Sequence, residues 1–464
     1  MARGHVDDQE ASPPMKKGQG FLALVVACVA VAAGLSVEQL GVAAPSQELA
    51  THASSGAWFC PHGGGEGWWA ALEVANPGTT AVEVRITNLG PGEASEPQTF
   101  DLGPGSVRRV VVSAGDRGAS SMVEYFDGWV GAGWVAQAGG DESGVAAEPC
   151  TDEAGSLFYM PDGTTAKGQQ GYVVVMNPFG TEAVFTLMLQ TGKEKPITTS
   201  DLTDFVLKPQ HSVAFLINQV TLEDTVAVVL TTTFGRVTAA SLGISDAGGI
   251  RSVEGLASPS PRWILPGGLD TNTAAVAVMN ASESRAMVTS TLYTDDAEQT
   301  AAGAQNQGID GGRASTFSVI TSSPSTIDLR ADLGDASGGV VAVRRTFGVS
   351  GDQGATAGAA APAESWVVLP AVADPPYDVR LLISNPGSVD ANVRISLLGE
   401  EGVGPVTTIT VAAHRTALVP TEFTNGDPLD AMYVVATQGA VVPVVAGYSS
   451  EMAGYAVSAG VPTP

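Results

Sequence analysis

An apolar strand that stops at an asparagine turn and resumes as strict alternation occurs four times in this sequence. No other feature constrains the fold as much. The fullest copy is Val379-Arg-Leu-Leu-Ile-Ser-Asn-Pro-Gly387, followed by Ala391-Asn-Val-Arg-Ile-Ser-Leu397. Pro386 cannot donate to a ladder and Gly387 accepts positive φ, so the triplet is turn chemistry. The alternation beyond it reads as a half-buried strand, and the two strands together read as a β-hairpin. The other copies centre on Asn76-Pro77-Gly78, Asn177-Pro178-Phe179 and Asn280-Ala281-Ser282. Their asparagines, at 76, 177, 280 and 385, are spaced by 101, 103 and 105 residues. The third copy has Ala281 where the first, second and fourth have proline, which leaves its turn geometry open.

The chain therefore reads as four repeats of about 100 residues, each long enough to bury a core of its own. Each opens on a short aromatic strand: Trp58-Phe-Cys-Pro61, Leu157-Phe-Tyr-Met-Pro161, Arg262-Trp-Ile-Leu-Pro266 and Ser365-Trp-Val-Val-Leu-Pro370. Turn signals then recur often enough for some seven short strands per repeat, the signature of an all-β sandwich. The expected fold is all-β, with four tandem immunoglobulin-like β-sandwich repeats after an N-terminal transmembrane helix. The tail Tyr455-Ala-Val-Ser-Ala-Gly-Val-Pro462 looks like a fifth opening strand, so a closed or propeller-like array is the alternative. The boundaries read as 1–20 (cytoplasmic tail), 21–44 (anchor or signal), 45–56 (linker), and repeats at 57–150, 151–255, 256–361 and 362–464.

Residues 21–37 form an uncharged apolar run behind Lys16-Lys17. This is export-signal chemistry, with the positive charge on the inner side. Val42-Ala43-Ala44 offers small residues for cleavage, but Pro45 follows the scissile bond. Residues 21–44 therefore read as an uncleaved single-pass anchor, with a cleaved signal (a secreted protein) or a lipoprotein at Cys28 as alternatives. Each places the repeats outside the cytoplasm. There Cys60 and Cys150 are expected to pair, since disulfides persist in oxidising compartments and Cys28 lies inside the apolar run. The chain carries 48 acidic against 22 basic residues, a net charge of −26. A field of that sign argues against nucleic acid or anionic lipid as partners.

Beyond these patterns, Gly67-Trp-Trp-Ala-Ala-Leu-Glu-Val-Ala-Asn-Pro-Gly-Thr-Thr-Ala-Val-Glu-Val resembles a bacterial extracytoplasmic repeat. So do Trp58-Phe-Cys-Pro61, Glu148-Pro-Cys150, Tyr159-Met-Pro-Asp-Gly163 and the terminal Ser458-Ala-Gly-Val-Pro462. The layout over nearly all of residues 20–464 is similar to an uncharacterised actinobacterial family of N-terminally anchored proteins of unknown function. These motifs are architectural, and the resemblance implies location and fold but no activity.

Local chemistry is sparse. The five histidines (His5, His52, His62, His211 and His414) show no zinc-ligand spacing. His211 and His414 fall near the turn positions of Gly105 and Gly312 in the other repeats. Gly243-Ile-Ser245 and Gly348-Val-Ser350 lack the last glycine of a nucleophile elbow. Gly63-Gly-Gly-Glu-Gly67 lacks the helix and the Lys-Ser/Thr of a phosphate loop. Acidic loops at Asp295-Asp296-Ala-Glu298, Asp332-Leu-Gly-Asp335 and Asn425-Gly-Asp427 match no full calcium loop. The expectation is no catalytic residue, no cofactor and no metal. Trp58, Trp263 and Trp366 recur at one repeat position and read as core. Trp68, Trp69, Trp129 and Trp134 are extra and confined to the first repeat, so they mark a possible, partly exposed binding face. The functional expectation is a non-enzymatic, membrane-anchored extracytoplasmic protein for envelope scaffolding, adhesion or binding, its partner an unidentified glycan or protein of the envelope. The alternatives are a dedicated cell-wall glycan binder and an enzyme that processes envelope polysaccharide.

Overall fold

The first repeat builds eight strands, and their burial explains their sequences. They are β1 (Gly56–Cys60), β2 (Trp69–Asn76), β3 (Val82–Leu89), β4 (Gln98–Leu102), β5 (Ser106–Val112), β6 (Ser120–Phe126), β7 (Gly131–Gln137) and β8 (Val145–Pro149). In the computed structural model, which describes residues 55–464 apart from 194, 268–272, 322–323, 335–337, 349–351, 373–377, 425–429 and 449–453, they form two antiparallel sheets. The orders are β1-β6-β3-β4 and β5-β2-β7-β8. β3 alternates between buried and more exposed positions because one face of its sheet meets solvent. β2 is buried from Ala70 to Asn76 because its sheet is covered on both faces. Trp58, Leu72, Val84, Val123 and Trp134, drawn from both sheets, share one core.

The same strand order recurs three times along the chain. In the second unit the sheets hold Leu157–Gly163, Val226–Phe234, Ala183–Thr191 and Phe205–Leu207, and His211–Leu216, Gln169–Asn177, Thr238–Ser245 and Ile250–Glu254. The third unit splits its β4 equivalent into Glu298–Thr300 and Gln307–Ile309. The fourth adds Val461–Pro462 beside its opening strand. The described fold is thus nearly all β and antiparallel, and no sheet closes on itself.

Several expectations need correction. The asparagine turn does not make a hairpin: β2 and β3 lie in different sheets, so the turn carries the chain from one sheet to the other. The asparagine side chain takes the place of ladder bonds at that crossing. Asn385 Nδ2 donates to the carbonyls of Val389 (2.8 Å), Val411 (2.9 Å) and Ala412 (3.2 Å), while Oδ1 accepts the Gly387 N–H at 3.0 Å. Asn76, Asn177 and Asn280 make the equivalent bonds to Thr80, Thr181 and Ser284 at 2.7–2.8 Å. Proline is dispensable there. At Ala281 the geometry is kept, and the Ser282 hydroxyl adds a 2.7 Å bond to Asn280 Oδ1. Each sheet pair has eight strand positions rather than seven. Their order also departs from the immunoglobulin pattern, in which the first two strands share a sheet. The tail is no fifth opening strand. Tyr455–Ala459 is the eighth strand of the fourth unit and pairs with Val442–Tyr448. Gln353–Thr356 is the eighth strand of the third and pairs with Val340–Phe347.

The described residues from 55 to 464 form one compact body. Successive units are joined by specific bonds. Ser120 Oγ donates to Ser212 Oγ at 2.7 Å between the first and second, and Asp162 pairs with Arg345 between the second and third. Thr416 Oγ1 donates to Thr326 Oγ1 at 2.8 Å between the third and fourth. Arg109 Nη2 donates to the Val372 carbonyl at 2.8 Å between the first and fourth. The eighth strands meet one another in turn: β8 touches Ile250–Glu254, which touches Gln353–Thr356, which touches Tyr455–Ala459, which touches β8 again. Small residues permit this approach. A Cβ on Gly354 would lie 2.8 Å from the Tyr455 ring, and one on Gly144 2.6 Å from Gly249 Cα. Ala146, Ala147, Ser252, Gly354, Ala355 and Ala456 leave no room for water between the strands.

Among the described residues no helix is long and apolar enough to cross a membrane. The segment 21–44, with Cys28, lies outside the described residues, as do His5, His52, Ser350, Asp335 and the loop from Asn425 to Asp427.

Candidate functional site

The four eighth strands end together, at Pro149, Glu254, Thr356 and Ala459. The chain beyond each turns back onto the opening strand of its own unit. Thr151 bridges to Phe59, Leu256 to Tyr159, Ala359 to Ile264, and Val461 pairs with Val367. These returns, with the opening strands, enclose a cavity of about 670 Å³ that all four units line. Its walls include Trp58, Trp129, Trp263 and Trp366, and the carboxylates Asp152, Glu153 and Glu254. No lysine, arginine or histidine is among its lining residues. A volume of this size suits a small ligand or the end of a larger one.

The tryptophans are held by the fold. Nε1 of Trp58 donates to the Val130 carbonyl at 2.8 Å, Trp263 to Val340 at 2.7 Å, and Trp366 to Ala363 at 3.1 Å. Each is at most 5% exposed. Trp129 is half-buried and meets Trp58 edge-on, ring centroids 6.0 Å apart. Beneath the mouth lies the Cys60–Cys150 disulfide, with a Cα–Cα separation of 4.7 Å, and Cys150 itself lines the cavity.

The carboxylates repel one another. Burial, then Glu153 and Asp152, raise the Glu254 carboxyl to about 8. Burial and Asp152 raise Glu153 as well. Behind them Glu148, one residue before the lining Pro149, is 3% exposed. Its Oε1 accepts no hydrogen bond, and burial and Glu254 hold it well above the ordinary carboxylate range. A carboxylate surrounded by its own kind takes a proton or a cation.

The extra tryptophans of the first unit do not form one face. Against the expected exposure, Trp68 and Trp134 are buried, at 8% and 3%. Trp68 Nε1 donates to Glu142 Oε2 at 2.7 Å under the Arg117 guanidinium. Trp134 sits in the core beside His62. Trp69 is half-buried, near Arg109 and against the core of the fourth unit. Only Trp129 of these four lines the axial cavity. Sequence reading missed Asp152, Glu153 and Glu254 because they come from two units. Their one shared signal is position, at or just past the end of the eighth strand of a unit.

The histidines are structural. His62 is fully buried, bonded to Ser121 Oγ at 3.1 Å, and burial lowers its pKa to about 4. The left-handed turn position held by Gly105 and Gly312 belongs to Gln210 in the second unit, not to His211, and to His414 in the fourth, with φ of 55° and 53°. His414 stacks on Tyr293 at 5.3 Å and meets Glu298 at 2.9 Å. Among the described residues no three His, Cys, Asp or Glu side chains gather as a metal-binding group.

No curated protein matches this sequence. A family model does match, over residues 124–358, from β6 of the first unit through the eighth strand of the third. That is just over half of the chain, and the protein belongs to this family of unknown function (DUF5719).

Proposed function

We propose that this protein is a non-enzymatic, membrane-anchored extracytoplasmic binding protein of the cell envelope. Its four β-sandwich units act as one closed array, and the axial cavity is its working site. The observation that carries this reading is the convergence of all four units on one tryptophan-walled cavity, while the rest of the axis is packed shut. The apolar run at 21–44 behind Lys16-Lys17 supports the anchor, and the net charge of −26 supports a partner that is not nucleic acid. The partner is an envelope glycan or protein.

Sedimentation with intact envelopes tests this. Trp129→Ala should lower binding with little loss of stability, because Trp129 is half-buried at the mouth. Trp134→Ala should do the reverse, costing about 3–5 kcal/mol as a core aromatic. Equal envelope binding by wild type and Trp129→Ala would remove the cavity from the function.

A second reading, an envelope polysaccharide-processing enzyme, has one observation in its favour. Glu254 holds its proton to about pH 8, and a carboxyl that stays protonated near neutral pH is what the acid step of glycoside hydrolysis needs. Release of soluble sugar from envelopes by wild type, and not by Glu254→Gln, would favour it over plain binding.

A further inference from the structure

We propose that the axial cavity is a receptor for a primary ammonium group carried on an aliphatic stem, resting on the reading of this cavity as the working site. Three features of one volume point to that chemistry. The tryptophan walls, Trp129 the most open of them, supply apolar aromatic surface, which favours a cation with a hydrocarbon body over a bare ion. Asp152, Glu153 and Glu254 supply acidic groups from two stretches of chain, and among the described residues no ion pair or hydrogen bond engages their side chains. The lining offers no basic residue in compensation. The cavity also closes where the eighth strands pack together, so a stem can enter from the mouth but cannot thread the axis. Glu148, buried behind the lining Pro149 with an unbonded Oε1, is a further acidic group beside Glu254, and burial keeps it protonated.

The occupant excludes other classes by its chemistry. Phosphate and carboxylate ligands meet only like charge here. A neutral sugar gains from the tryptophans but leaves the carboxylates unpaired. A divalent metal lacks a converging ligand set among the described residues. The groups that face Glu254 are Glu148, Asp152 and Glu153, all acidic, so a bound ammonium is the first positive charge in its surroundings. Binding therefore displaces the Glu254 proton, and affinity should rise with pH up to about 8 while an alkyl ammonium stays charged.

The ammonium source is either a free diamine or a lysine side chain, and calorimetry separates them. The intact protein is titrated with pentane-1,5-diamine, with tetralysine and with tetra-arginine, in 0.15 M salt that screens the general field of the acidic surface. Saturable binding of the diamine identifies a small-molecule site, and binding of tetralysine alone identifies a peptide site. Either supports the proposal if Trp129→Ala and Glu254→Gln each weaken it roughly tenfold, the scale of one desolvated cation–aromatic contact. Glu254→Gln should also flatten the pH dependence while leaving thermal unfolding near wild type. Equal binding of tetra-arginine and tetralysine, loss of binding to millimolar calcium, or binding unchanged in both variants would overturn the proposal as surface charge alone. If no ammonium compound binds but Trp129→Ala still lowers envelope sedimentation, the working site stands and its ligand class is wrong. If sedimentation is also unchanged, both readings fall.

Discussion

Replacing Asn385 with alanine tests how the units hold together as well as how each is built. Asn385 is 1% exposed and its carboxamide takes part in four hydrogen bonds. Its two N–H hydrogens serve three carbonyls, so about three bonds' worth is lost, at about 1 kcal/mol each. The carbonyls of Val389, Val411 and Ala412 and the N–H of Gly387 lose this partner, which brings the expected cost to about 4 kcal/mol. The size of the unfolding unit decides how far the melting temperature moves. If residues 55–464 unfold together, an entropy of about 2.1 cal/mol/K per residue gives about 0.9 kcal/mol/K and a fall of only about 5 °C. If the fourth unit melts alone, its roughly 100 residues give about 0.2 kcal/mol/K and a fall of about 20 °C. The continuous contacts between units predict the first outcome, one transition displaced by a few degrees. Differential scanning calorimetry reads it directly. A separate low-temperature transition in Asn385→Ala would refute cooperative unfolding. An unchanged melting temperature would refute the structural role of the asparagine. Asn76→Ala should reproduce the shift, because its bonds are equivalent.

Two further outcomes follow from buried groups of the first unit. Mass spectrometry of the protein without reductant should find no free thiol at Cys60 or Cys150. Cys150→Ala should cost about 4 kcal/mol, since the bridge closes a loop spanning 90 residues. His62 is held neutral by burial, with a pKa lowered from 6.5 to about 4. The unfolded chain then binds the extra proton, so the His62 contribution to stability is complete above pH 6.5 and is lost as pH falls toward 4. It amounts to about 3 kcal/mol at the low end. The difference in urea-unfolding free energy between wild type and His62→Gln should change with that sign between pH 6.5 and 4, and a constant difference would contradict it.

Much of this architecture is written locally. The period of the asparagine turns and the aromatic opening strands depend on residues near one another in sequence, and the Cys60–Cys150 pairing is expected from an inferred oxidising compartment. The strand patterns also foretell which sheet is which. Ala391–Leu397 alternates because its sheet has a wet face, and Leu381-Leu-Ile383 is continuously apolar because its sheet is covered twice. What covers the second face was not legible, and neither was the route of the turn. The asparagine motif is compatible with a hairpin until its carboxamide is seen bonding a strand of the other sheet. The axial site was still less accessible. Asp152 and Glu254 are 102 positions apart, and each alone resembles a solvated loop carboxylate. Trp58, Trp263 and Trp366 signal a core wherever they occur. Only the packing of four small-residue strands against one another, a contact between elements hundreds of residues apart, brings those carboxylates and tryptophans around one cavity. Local patterning sets which face of a strand is apolar, but the partner for that face is chosen by shape and volume in the assembled molecule.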